Sequence, residues 1–225
     1  MYVPATSAQP AAPVTPPLPS LVEVATGDGS SPGIASLAGL DAAPVHVSLA
    51  VRHPDLNVLA DHTSTIAGAL RPALAGRVVT LQALGAHGWS TLASTHTRPA
   101  GRFRLRYTPR RAGSERVRLR FAGDATDRSA HRALGRLNVY RLAGASWYGG
   151  GGGLACGGEL TSSTMGVANK TLPCGSQVTL RYGDRTVSVR VIDRGPYVAG
   201  REFDLTEATK RALGFGDTGE VWSTR

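Results

Sequence analysis

The chain has 225 residues, 41% hydrophobic and 18% charged, with 28 glycines, 14 prolines and 6% aromatics. That composition supplies enough apolar material for packed cores, excludes a wholly disordered chain, and favours short strands and turns over long helices. No apolar run approaches the roughly 18 residues a membrane-spanning helix needs, so no transmembrane segment is expected. The net charge is +9 and unevenly placed. Residues 1–143 carry 16 arginines against 8 acidic groups, while residues 144–225 carry 9 basic and 8 acidic groups. All six histidines (46, 53, 62, 87, 96 and 131) precede residue 132, which excludes histidine chemistry from the second part.

Residues 1–20 hold six prolines and no charge. They read as an extended tether with polyproline II character, continued over 21–43 by a Gly/Ser/Ala-rich linker. A signal peptide needs a basic start and an apolar stretch of roughly 7–15 residues, and neither is present. The expectation is that the start codon lies upstream or that export uses a signal outside this chain. A cytosolic protein with an unstructured tail stays open beside these.

From residue 45 short apolar or alternating runs recur between turn signals: 45–51, 64–70, 77–84, 89–95, 102–108, 115–121 and 135–141. Seven such runs without a helical period predict an antiparallel β-sandwich over 44–142. The GRFRLRYTP strand and the FAGDATDRSA segment resemble bacterial immunoglobulin-like modules of secreted proteins. Arg102, Arg104 and Arg106 alternate with apolar residues in one run, and Arg116, Arg118 and Arg120 do so in the next. If residues 109–114 make a hairpin turn, all six share one outer face. That face is a solvated surface or a docking surface for an anionic polymer. Nucleic acid is disfavoured, because the stripe offers no aromatics for stacking.

From residue 144 the pattern changes. QVTLRY and TVSVRVID read as strands joined by a Gly-Asp turn at 183–184. Residues 206–213 read as a short helix with Thr206 as N-cap and Gly214 as its stop, followed by a closing strand at GEVWST. The two cysteines, Cys156 and Cys174, cannot make a zinc site by themselves. They form a disulfide or remain two buried thiols. The disulfide is the expectation, worth about 3 kcal/mol in the chain-entropy model and implying an oxidising compartment.

Four stretches in this part, Ala145–Gly149 (ASWYG), Lys170–Pro173 (KTLP), Val191–Tyr197 (VIDRGPY) and Phe203–Leu205 (FDL), resemble in order and spacing the double-psi β-barrel of rare lipoprotein A-like proteins. The same barrel is similar to the first domain of expansins. The resemblance implies an all-β chain: an immunoglobulin-like sandwich, then a six-stranded double-psi barrel with one short helix over 144–225. It further implies an exported, wall-associated protein acting on peptidoglycan glycan strands, with no cofactor or metal. Catalytic relatives are lytic transglycosylases, which leave a 1,6-anhydro sugar; expansin relatives loosen walls without hydrolysis.

Glycosidic cleavage needs a carboxyl group that protonates the leaving oxygen, with its pKa raised by burial or a neighbouring carboxylate. Turn chemistry explains Asp184, Asp217 and Glu220, and the helix start explains Glu207. Asp193 and Asp204 remain, both at acidic positions of the family motifs, with Glu159 as a third candidate. The bland reading has Asp193 anchoring its turn with Arg194 as partner, and Asp204 serving the helix entrance. Ser146, Tyr148, Asn169, Arg194 and Tyr197 are the candidate glycan contacts. Trp147 and Tyr148 alternate along a strand, so one of the two is expected in the core.

The chain departs from catalytic relatives at three positions. The family histidine position is Asn169, the aspartate position falls on Thr161, and the glutamate position falls on Gly158, beside Glu159. Asn cannot transfer a proton at neutral pH. An enzyme of the lytic transglycosylase type and a non-catalytic expansin-like module therefore both stand. A third reading is a structural or adhesive protein whose barrel binds something else.

Overall fold

A computed structural model describes residues 46–225; the leader and linker expected over 1–43 lie outside the described residues. The first half supplies β1 (Ser48–Arg52), β2 (Asn57–Leu59), β3 (Ser64–Arg71), β4 (Val78–Gly85), β5 (Gly88–His96), β6 (Arg102–Tyr107) and β7 (Gly113–Phe121). A long strand, β8 (Ala130–Tyr148), follows. Each of the seven runs expected between 45 and 141 is a strand, and β2 is an addition. Three residues are too few to show an alternation, which is why β2 is silent in the sequence.

Strands β1, β3 and β6 form one antiparallel sheet. Strands β5, β4, β7 and β8 run side by side in the other, with β2 parallel to β8. Their inward side chains build one core, including Leu49, Ile66, Leu70, Val79, Leu81, Phe103, Leu105, Val117, Leu119 and Phe121, all buried. The loop after β7 is fixed from within: Arg77, 7% exposed, reaches Asp124 at 3.0 Å and also pairs with Asp127.

The expected β6–β7 hairpin is not formed. The chain crosses between sheets there, so β6 pairs with β3 while β7 pairs with β4 and β8. Arg102, Arg104 and Arg106 therefore stand on one sheet, and Arg116, Arg118 and Arg120 on the other; the six do not share a face. Alternation tells which side chains turn inward, but it is the same for a strand of either sheet. Arg118 lies over the Trp89 ring at 4.0 Å and donates to Gln82 at 3.0 Å, so it is tied to its own sheet.

β8 runs through the expected boundary near residue 143. Its first half pairs with β7, and its second half enters the next unit without a break. That unit contains β9 (Gly152–Gly153), β10 (Glu159–Leu160), β11 (Val167–Ala168), β12 (Gln177–Tyr182), β13 (Arg185–Asp193), β14 (Phe203–Thr206), α1 (Glu207–Leu213) and β15 (Thr218–Ser223). Neighbours run β14, β11, β13, β12, β15, β8, and β8 returns to β14, closing a six-stranded barrel. Two pairings are parallel, β8–β14 and β11–β13; the other four are antiparallel. Its core includes Ala145, Val167, Val178, Leu180, Val191, Phe203, Leu205, Leu213 and Val221.

Local chemistry fixes the ends of these elements. Gly183, at φ 57°, opens the two-residue turn between β12 and β13, where a positive φ is required. Thr206 caps α1 by accepting from the Thr209 amide, and Gly214 ends it at φ 67°.

Candidate functional site

Residues directly opposite one another in neighbouring strands share a face of the sheet. One such row crosses four barrel strands: Ser146 on β8, Asp204 on β14, Ala168 on β11 and Asp193 on β13. The core residues Ala145 and Phe203 alternate with Ser146 and Asp204, so the row faces away from the barrel interior. A register irregularity between Val167 and Ala168 creates it. Val167 pairs with Val191, yet Ala168 pairs with Asp193 rather than Ile192. The skipped residue brings Asp193 opposite Ala168, so a carboxylate replaces an apolar side chain there. With Ala168 between them, the two aspartates lie two strand spacings apart, about 10 Å between Cα atoms.

Each carboxylate is held by a different device. Ser146, 4% exposed, donates its hydroxyl to Asp204 Oδ1 at 2.7 Å. Asp193 Oδ1 accepts the backbone amides of Ala155 and Arg194, at 2.9 and 2.8 Å. Both aspartates are half-buried. Tyr148 completes the group. Its hydroxyl is enclosed and has no hydrogen-bond partner among the described residues. Burial pushes its phenol well above the ordinary tyrosine range; the Asp193 carboxylate, by its charge and as an acceptor facing the hydroxyl, and then the charge of Asp204 push it further. The hydroxyl thus lies beside the Asp193 carboxylate, which favours its protonated form.

The loops around the row are tied down. Asn169, 3% exposed, accepts the Thr171 and Leu172 amides at 3.0 and 2.8 Å and donates to the Glu202 carbonyl at 3.0 Å. All its side-chain atoms capable of hydrogen bonding thus serve the backbone. Arg194 does not pair with Asp193 through its guanidinium. It donates to the carbonyls of Asn169 and Leu172 at 2.9 and 2.7 Å, and to Cys174 Sγ. Cys156 and Cys174 form a disulfide that joins the loop carrying Ala155 to the loop held by Asn169 and Arg194.

Residues 142–222 match the family model described as lytic transglycolase. This segment is an RlpA-like double-psi β-barrel. The endolytic peptidoglycan transglycosylase RlpA of Pseudomonas aeruginosa is 42% identical over 87 residues, covering 36% of this chain and 26% of that protein. The "Probable endolytic peptidoglycan transglycosylase RlpA" of Synechocystis sp. is 41% identical over 89 residues, covering 36% of this chain and 27% of that protein. The chain thus spans about a quarter of the length of these relatives. Among solved structures, the Streptomyces papain inhibitor (SPI) is similar at 24% identity and a TM-score of 0.32, over 38% of this chain and 94% of that one.

In the RlpA-like barrel, the remaining expected residues are dispersed. Glu159 is exposed on the β9–β10 hairpin opposite Gly153, outside the row. Tyr197 is 80% exposed, beyond the end of β13. Trp147 is on the surface and Tyr148 half-buried, so neither is the fully buried core residue expected of the pair. Asp217 is more than a turn residue. It accepts from Trp147 Nε1 at 2.9 Å and from Lys210 at 2.7 Å, while Lys210 lies 3.8 Å from the centre of the Trp147 ring. Those donors, Lys210 first, hold the Asp217 carboxyl below its ordinary range. The sequence carries no signal for the β11 irregularity or for Ala168, a small residue whose importance is its position between two acids.

Proposed function

We propose that the barrel binds peptidoglycan glycan strands across the Ser146–Asp204–Ala168–Asp193 row and cleaves them as a lytic transglycosylase. The observation that carries this is the enclosed, unpartnered Tyr148 hydroxyl beside two held carboxylates, in a segment similar to RlpA proteins. An unpaired buried hydroxyl is costly without a ligand and suits a sugar hydroxyl.

In this reading Asp204 transfers the proton. Ser146 occupies Oδ1, which leaves Oδ2 to carry the proton. The carboxylic acid protonates the glycosidic oxygen as the C1–O bond breaks, and Asp193 stabilises the oxocarbenium-like sugar. The resulting Asp204 carboxylate then takes the proton of the sugar's own C6 hydroxyl, which closes on C1 as a 1,6-anhydro ring. No water is consumed and Asp204 ends protonated, as it began. The exposed Tyr197 offers its ring to a flanking sugar. The two-sheet unit, as an immunoglobulin-like module, presents the barrel to the wall of an exporting cell.

One observation favours the second reading, a non-catalytic expansin-like module. Asn169 stands where catalytic relatives have histidine, and its amide is wholly engaged in backbone hydrogen bonds. Incubating the protein with muramyl-containing glycan and analysing the products by mass spectrometry separates the two. Anhydro-ended fragments support the enzyme; glycan binding without such fragments supports the expansin-like module.

A further inference from the structure

Separating the six arginines between two sheets exposes a different arrangement. On the outer face of the β1–β3–β6 sheet, Arg102, Arg104 and Arg106 of β6 stand opposite Ala69, Ala67 and Thr65 of β3. On the other side of β3, Ala50 and Arg52 of β1 stand opposite Ala69 and Ala67, and Arg71 of β3 stands opposite Ser48. The centre of this face is small side chains, and its flanks are arginine. All five arginines on it are exposed, and no strand position of the face is acidic or aromatic. Among the described residues, none of the five makes an ion pair. The same three arginines, with Arg98, Pro99 and Phe103, line a groove of about 720 Å³.

We propose that this face is a trough for a linear phosphodiester polymer that carries no bases. Alternate residues of a strand are about 6.6 Å apart, so β6 presents three guanidinium groups as a regular ladder. Like charges so placed repel and destabilise the sheet unless an anion lies along them. Guanidinium pairs with phosphate oxygens through two parallel hydrogen bonds, and the low Ala/Thr floor lets a chain lie between the Arg104 and Arg52 flanks. A single-stranded nucleic acid would need aromatic platforms for its bases, and the face has none.

The test uses the full chain and a short poly(glycerol phosphate) as probe, with oligothymidylate of equal charge as comparator. Binding should be tight at low salt and lost near 1 M, where the Debye length falls from about 10 Å at 0.1 M to about 3 Å. The triple variant Arg102→Gln, Arg104→Gln, Arg106→Gln should bind at least about tenfold more weakly, whereas Arg116→Gln with Arg120→Gln on the other sheet should stay within about threefold of the parent. Ala67→Glu puts a carboxylate between Arg104 and Arg52; it should weaken binding and raise the melting temperature, and so reports on the trough even if the triple variant folds poorly. Equal binding by the β6 variant or by Ala67→Glu, an equal loss in the β7 variant, or oligothymidylate bound as tightly as the polyol phosphate would overturn the proposal. None of these outcomes bears on catalysis by the barrel.

Discussion

Ser146 and Asp204 are partners twice over: their backbones pair across β8 and β14, and the serine hydroxyl donates to the aspartate at 2.7 Å. The pairing fixes where the carboxylate sits, and the hydroxyl fixes which of its oxygens stays available. Since β8 also pairs with β7 and β2 in the two-sheet unit, the strand that orients the acid belongs to both halves of the described chain. A disturbance of the first unit therefore has a direct covalent path to the site.

Tyr148→Phe removes an enclosed hydroxyl that makes no well-formed hydrogen bond among the described residues. Because an unsatisfied buried polar group costs roughly 1–3 kcal/mol, the variant should melt at the parent's temperature or above it. Glycan binding should nevertheless weaken by about tenfold, the equivalent of about 1.4 kcal/mol. The pH response has a definite sign. The folded-state pKa of Tyr148 is raised, so the stability it contributes is complete below the unfolded value of about 10 and is lost as pH rises through the folded value. Tyr148→Phe should lessen the alkaline loss of stability in denaturant titrations above about pH 10. A clear drop in stability at neutral pH with unchanged glycan binding would make the hydroxyl structural.

Reduction of Cys156–Cys174, or replacement of both cysteines by serine, should lower stability by about 3 kcal/mol for a separation of 18 residues. It should also free the loop that presents the Ala155 amide to Asp193. Chemical denaturation with and without reductant measures the first effect, and hydrogen exchange at Ala155 the second. A stability change well under 1 kcal/mol would mean that the two loops are held by Arg194 and Asn169 alone.

Gly144 faces the Gly200 carbonyl so closely that a Cβ there would stand 2.1 Å from the oxygen. Both are backbone, and neither can swing aside. Gly144→Ala should therefore cost on the order of 2–3 kcal/mol, read as a shift in denaturation midpoint. Gly153→Ala is the control, since its Cβ would meet nothing within 4 Å. Equal midpoints for the two variants would show that the 197–201 loop yields.

The sequence was most informative where a local signal is also the cause. Alternation placed the strands, the Gly183–Asp184 pair placed the hairpin, and Thr206 and Gly214 bounded the helix, because each of these is decided by the residue's own backbone chemistry. The partnership of strands was illegible for the opposite reason. β6 and β7 alternate identically, and only the packed core decides that they go to different sheets. The same holds at the site. Asp193 and Asp204 stand out by position in their motifs, but their alignment depends on one skipped residue beside Ala168. Arg194, next to Asp193 in sequence, sends its guanidinium to the 169–174 loop instead.

The central claim is that Asp204 transfers the proton in glycan cleavage, and mass spectrometry of muramyl-containing glycan treated with parent and Asp204→Asn protein tests it most directly. Asn keeps the shape and can still accept from Ser146, but it has no transferable proton at neutral pH. With the parent releasing anhydro-ended fragments, Asp204→Asn should release them at least about a hundredfold more slowly while keeping the parent's melting temperature and glycan binding. Unchanged release by Asp204→Asn, or no anhydro product from the parent itself, would contradict the claim.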